Sequence, residues 1–124
     1  MSRRALLTLA PLLLAASPPA PRVVKIDAAD YPAAAAEAGV EGNVRFDLEI
    51  DAKGKVAGCT VTAGGDLPAG LAADTCALAT KRWRFDPARD DAGAKVPGRL
   101  PYSIAWRIAL PCPRPDGQTI CVFL

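Results

Sequence analysis

The sequence contains no histidine. That excludes Ser-His-Asp and Cys-His nucleophilic catalysis, His-ligated metal sites and an imidazole pH switch. No Ser or Thr sits beside a plausible general base, and no Cys-x-x-Cys pair is present to suggest a zinc knuckle or a thioredoxin-type site. Large aromatics are scarce, with three Phe, two Trp and two Tyr, so each matters to a core otherwise rich in alanine. What is abundant is Pro and Gly, twelve and ten of 124 residues, which argues against a long helix or coiled coil and for many turns. The length fits one domain.

The amino end reads as a targeting segment. Ser2-Arg3-Arg4 is a positive start, Ala5 to Ala16 is a charge-free Leu-rich stretch, and Ala15-Ala16-Ser17 supplies small residues. This layout predicts a secretory signal peptide over residues 1–20; the alternative is a short anchor left uncleaved. The stretch is shorter than the ~20 apolar residues of a spanning helix, and Pro11 weakens it further. Arg3 and Arg4 carry the whole formal +2, leaving 13 basic against 13 acidic residues. A near-neutral domain gives little support to nucleic-acid binding, and Lys81-Arg82-Arg84 reads as a charged helix end. Cys59, Cys76, Cys112 and Cys121 are an even set in a small exported chain and predict two disulfides, with three pairings allowed by sequence alone.

After a flexible segment, 21–30, with at most a short extended piece, Tyr31-Pro32 leads into a helix over Ala33 to Ala38. Asp30 is the expected cap and Gly39 the stop. From Asn43 to Asp51 polar residues alternate with Val44, Phe46, Leu48 and Ile50, the pattern of a strand with one buried face. Asp51 to Gly54 forms a tight hairpin, and the return strand to Ala63 breaks register near Gly58, as a bulge would. Pro68 opens a second helix to about Arg82, with Leu71, Thr75 and Leu78 beside Ala72, Cys76, Ala79 and Trp83 on its apolar face. Residues 83–88 are extended, and Asp90 to Gly93 turn. The last strand runs from Leu100 to Leu110, with Leu100, Tyr102, Ile104, Trp106 and Ile108 on one face and Ser103, Ala105 and Arg107 on the other. Pro101 lacks a ladder donor, which places that end at a sheet edge.

Helix, hairpin, helix, strand predicts an α+β two-layer sandwich: a three-stranded antiparallel sheet with two helices on one face. A Cys59–Cys76 bridge would then staple the second helix to the sheet, leaving Cys112 with Cys121 to close a tail, 111–124, behind a domain at 31–110.

Tyr31-Pro32, Ala36, Gly39, Gly42-Asn43-Val44, Phe46 and Asp51 to Val56, then Arg82 to Asp90 and a final apolar strand, resemble the TonB C-terminal domain over about residues 28–108. The resemblance implies a periplasmic domain that docks on outer-membrane TonB-dependent receptors. It does so by pairing its last strand with an extended peptide, the TonB box. Carried over by position, the docking residues are Leu100, Tyr102, Ser103, Ala105 and Arg107, with Ala29, Asp30 and Tyr31 near the partner. The chain departs from the pattern: residues 17–27 are too short for a periplasmic spacer, Pro101 interrupts the docking strand, and the Cys112–Cys121 tail is long enough to fold back over the same edge.

Other readings are weaker. Trp83, Phe85, Tyr102 and Trp106 fall on inward positions, which fits packing better than a ligand platform. Asp47 and Glu49 fit a wet strand face better than acid–base chemistry, and Asp90-Asp91 a turn better than a Ca²⁺ site. The sequence therefore predicts a protein-binding module and not an enzyme. It predicts no cofactor and no metal, membrane contact only through partners or an uncleaved signal, and room for a homodimer. The alternative is a disulfide-stapled secreted domain whose docking edge is capped by its own tail.

Overall fold

The computed structural model describes residues 16–113 and 119–124. The charged start and apolar stretch of the expected signal peptide, as far as residue 15, and the expected turn at Asp116-Gly117 lie outside them. Among the described residues no helix is long and apolar enough to cross a membrane.

The first described element is a short strand, β1 (Ala20–Val23), which starts on the last residue of the expected signal peptide and runs into the segment expected to be flexible; it pairs antiparallel with a later strand. A 3₁₀ turn, Ala28–Asp30, follows. Asp27 caps it by accepting from Ala29 N at 3.0 Å, and Asp30 returns the bond by accepting from Asp27 N at 3.0 Å. Asp30 therefore closes this reciprocal cap instead of capping the helix; the N-cap position of α1 (Ala33–Ala38) is Pro32. Gly39, at φ +69°, ends α1 in the left-handed conformation that glycine adopts without steric cost.

The hairpin is β2 (Gly42–Ile50) with β3 (Val56–Ala63), and the alternation is realised: Val44, Phe46, Leu48 and Ile50 are each no more than 1% exposed. The ladder slips between Glu49↔Gly58 and Ile50↔Val56, which is the expected bulge. At the tip, Asp51 Oδ1 accepts from Lys53 N at 2.8 Å and Lys55 N at 2.9 Å, and Gly54 takes φ +88°.

The second helix starts later than Pro68. Residues Pro68–Gly70 form a 3₁₀ turn in which Ala69 and Gly70 both have positive φ, and α2 spans Leu71–Arg82. Its Leu71, Ala72, Thr75 and Ala79 are buried, and it packs on β3 and β2. Next come β4 (Arg84–Asp86), the β1 partner; the small β5 (Ala88–Arg89) and β6 (Lys95–Val96) ladder; and β7 (Gly98–Arg107). A final strand, β8 (Thr119–Phe123), comes from the tail.

The main sheet has the order β3-β2-β7-β8. The antiparallel three strands expected from the sequence are its first three; the tail adds the fourth, in parallel with β7. Cys59–Cys76 joins β3 to α2 with the Cα atoms 5.8 Å apart, and Cys112–Cys121 closes the tail at 6.1 Å. The aromatics are core: Trp83, Phe85, Tyr102 and Phe46 meet at centroid distances of 5.2–6.4 Å. Trp106 donates Nε1 to Thr75 Oγ1 at 3.0 Å, and that hydroxyl donates to Leu71 O at 2.7 Å.

Candidate docking edge

Among the described residues β7 is the longest strand, and its alternation sorts its side chains. Leu100, Tyr102, Ile104 and Trp106 face the helices, while Pro101, Ser103, Ala105 and Arg107 face outward, opposite Asp47, Arg45 and Asn43 of β2 for the first three. One side of its backbone is taken by β2, from Gly98↔Ile50 to Trp106↔Gly42. The other is taken over its second half by β8, whose register runs from Ser103↔Thr119 to Arg107↔Phe123. Leu124 N extends the ladder by donating to Arg107 O at 2.9 Å.

β8 lies there because it repeats the same alternation. Ile120 and Val122 point inward and join the core, Val122 with 2% exposure, while Thr119, Cys121 and Phe123 share the outward side with Ser103, Ala105 and Arg107. The Cys112–Cys121 bridge thus lies beside Ala105, and all three outward β7 residues from Ser103 on are buried. Arg107 is held internally: Nε donates to Pro111 O at 2.8 Å, Nη2 to Asn43 Oδ1 at 2.7 Å and Nη1 to Trp106 O at 3.1 Å.

The strand stops at Arg107, three residues short of the expected end. Glu41, just before β2, captures the next three amides: its Oε1 accepts from Ile108 N at 2.7 Å, Ala109 N at 3.1 Å and Leu110 N at 3.0 Å. Those bonds, Ile108 first and then Leu110, hold the Glu41 carboxyl below the usual carboxylate range, with a smaller contribution from the Arg107 charge and against partial desolvation. Ile108 and Leu110 are turned out and exposed, so Ile108 does not continue the apolar face of the strand.

The sequence-predicted residues therefore fall into three groups. Leu100 and Tyr102 precede the stretch covered by β8; near them an open groove of about 490 Å³ runs across the paired strands β3, β2 and β7, lined by Thr62, Arg45, Asp47, Pro101 and Ser103 among others. Ser103, Ala105 and Arg107 lie under the paired stretch. Ala29, Asp30 and Tyr31 lie at the start of the domain, where Ala29 is exposed and the Asp30 carboxylate pairs with Arg82. Tyr31 is 6% exposed: its hydroxyl donates to Val40 O at 2.6 Å and its ring meets Trp106 edge-on at 5.0 Å. Burial first, and then the nearby Glu41 charge, raises its phenol pKa, with Arg107 acting in the opposite direction. The Tyr-Pro motif is thus tied to the end of β7 through the core. Among the described residues no group of three His, Cys, Asp or Glu side chains is placed to hold a metal ion.

Sequence reasoning gave no signal for Glu41, whose partners lie 67 to 69 residues away. Nor did it place the tail strand in register.

Residues 27–108 match the family model for the C-terminal domain of the Gram-negative bacterial TonB protein. The chain belongs to the TonB C-terminal family. The match ends at residue 108, so β8 and both cysteines of the second disulfide lie beyond it. No curated protein and no solved structure matches the chain. The family is one of non-enzymatic interaction and transduction domains of the cell envelope, associated with transport and with outer-membrane receptors. The α+β architecture fits it, with one strand more than expected in the main sheet and two small two-stranded ladders beside it.

Proposed function

We propose that this protein is a periplasmic TonB-like module that docks on extended peptide segments of outer-membrane transporters by adding them as a strand to β7. The observation that carries the reading is the β7–β8 ladder. An extended, uncharged segment lies along Ser103–Arg107 in parallel register, held by backbone bonds and two inward side chains. The edge that the family resemblance assigns to docking is therefore one that accepts a strand of this kind in this chain. Strand addition draws affinity from main-chain bonds and selectivity from alternate side-chain positions, and β7 offers both.

Export through the amino-terminal leader and a periplasmic location belong to the same reading. They agree with the two disulfides, which persist in oxidising compartments. The rival reading, a domain whose edge is permanently capped by its tail, rests on the same ladder and differs in whether β8 ever leaves.

The test is an NMR titration of the oxidised protein with a synthetic peptide from the amino-terminal segment of a TonB-dependent receptor. Saturable shifts concentrated in Leu100 to Arg107 are expected. Absence of saturable shifts at millimolar peptide, both in the intact chain and in a variant with β8 loosened, would refute the docking reading.

A further inference from the structure

β8 stands on the second half of the strand assigned to docking, and its chemistry is that of an incoming ligand strand. Thr119 to Phe123 carries no charge and no proline, and three of its five residues are β-branched. Ile120 and Val122 take the inward positions, and Phe123 and Leu124 remain about half exposed. The strand lies outside the family match, and Ile120 and Val122 are what it adds to a core otherwise built by residues 24–106. Its ladder is parallel, a pairing slightly less stable per residue than antiparallel.

We propose that β8 is a built-in competitor: it occupies on β7 the place of an incoming extended segment, which needs apolar side chains at two alternate positions and docks only when β8 leaves. The identity of that incoming strand rests on the docking reading above; the occupied edge does not. The Cys112–Cys121 bridge fixes the middle of β8 to a point five residues beyond the end of β7, so a detached tail stays close to its site. A tethered segment competes at an effective concentration on the order of millimolar. A partner then meets a site that is open only part of the time, and its apparent Kd rises by the reciprocal of the open fraction.

The test uses the full oxidised chain. Ile120→Asp puts a carboxylate on the apolar side of β8 and leaves every β7 residue unchanged; Val122→Ala is a milder second variant should the first fold poorly. Two probes are titrated, the receptor peptide of the preceding subsection and a synthetic peptide of residues 119–124 with Ser in place of Cys121. The proposal expects amides of Thr119 to Phe123 to lose exchange protection in the variants, and both probes to bind at Ser103 to Arg107 at least about tenfold more tightly than in the intact chain. Equal affinity in intact and loosened chains would overturn it. So would receptor peptide binding along the outer edge of β8 with the β7–β8 amides still protected; docking would then survive and competition would fail. Failure of both probes to bind a folded variant would also overturn it. Binding of the tail peptide alone would leave competition for the edge standing and remove the receptor peptide as the partner.

Discussion

At the residue scale, single polar atoms hold the carboxyl end of β7. The Thr75 hydroxyl takes the Trp106 Nε1 proton and passes its own to Leu71 O, all in a fully buried setting. Thr75→Val keeps the shape and deletes the acceptor, leaving the indole N–H buried and unpaired. The expected loss is about 1–3 kcal/mol, read as a lower urea midpoint at unchanged slope. Gly54 is under a steeper constraint: a Cβ there would lie 2.0 Å from Phe85 O, at φ +88°. Gly54→Ala is expected to cost at least about 2 kcal/mol from the backbone conformation and the clash together.

Glu41 gives a pH dependence whose sign follows from its lowered pKa. A carboxylate with a depressed folded-state pKa stabilises above the ordinary value, and the contribution is lost as pH falls through the folded one. The amides of Ile108 and Leu110 should therefore lose their downfield shifts in acid, below the range where a free glutamate titrates. In Glu41→Gln the same amides should not titrate with residue 41. Titration of the wild-type amides at an ordinary glutamate pKa would contradict the geometry.

At the element scale, much of the fold was legible because each element carries its own local signal. The Val44 to Ile50 alternation, the Asp51 to Gly54 tip and the slip at Gly58 are local chemistry, and the structure shows all three. The placement of Cys59 on a strand and Cys76 in mid-helix likewise led to the observed pairing. What was not legible depends on distant partners. β1 lies in a proline-rich lead whose extended form is fixed by β4. The left-handed pair Ala69-Gly70 delays α2, although Pro68 is a normal opening for a helix. The five-residue β8 is a strand because β7 offers its free second half. Cys59–Cys76 spans a separation of 17 residues, so replacing both cysteines by Ala should cost about 3 kcal/mol in the chain-entropy model. Amide exchange should rise first in α2 and β3; a uniform rise would show that the bridge does not act locally.

At the scale of the whole molecule, the TonB-type frame, residues 27–108, is extended by a tail that adds a fourth strand to the sheet on the β7 side, the side proposed above for docking. Part of the arrangement was legible: the order of elements gave β7 as a strand over the core, Cys112 and Cys121 gave a tail able to reach it, and the assignment of that strand to docking came from the family resemblance alone. The register could not be read, because it is set by Ile120 and Val122 fitting the core that β7 and the helices build. Tyr31 illustrates the same limit: the Tyr-Pro motif marks the start of the domain, yet its ring is packed on Trp106 and Ala29 is the neighbour open to solvent.

The most direct measurement reads both strands at once. Amide spectra of the intact oxidised chain would be followed during titration with the receptor peptide, watching Ser103 to Arg107 and Thr119 to Phe123 together. β7 amides are expected to shift to a new bound state while β8 amides move towards free-chain positions at the same peptide concentration. Saturation of β7 with β8 unmoved, or no saturable change in a chain whose β8 has been loosened, would contradict it.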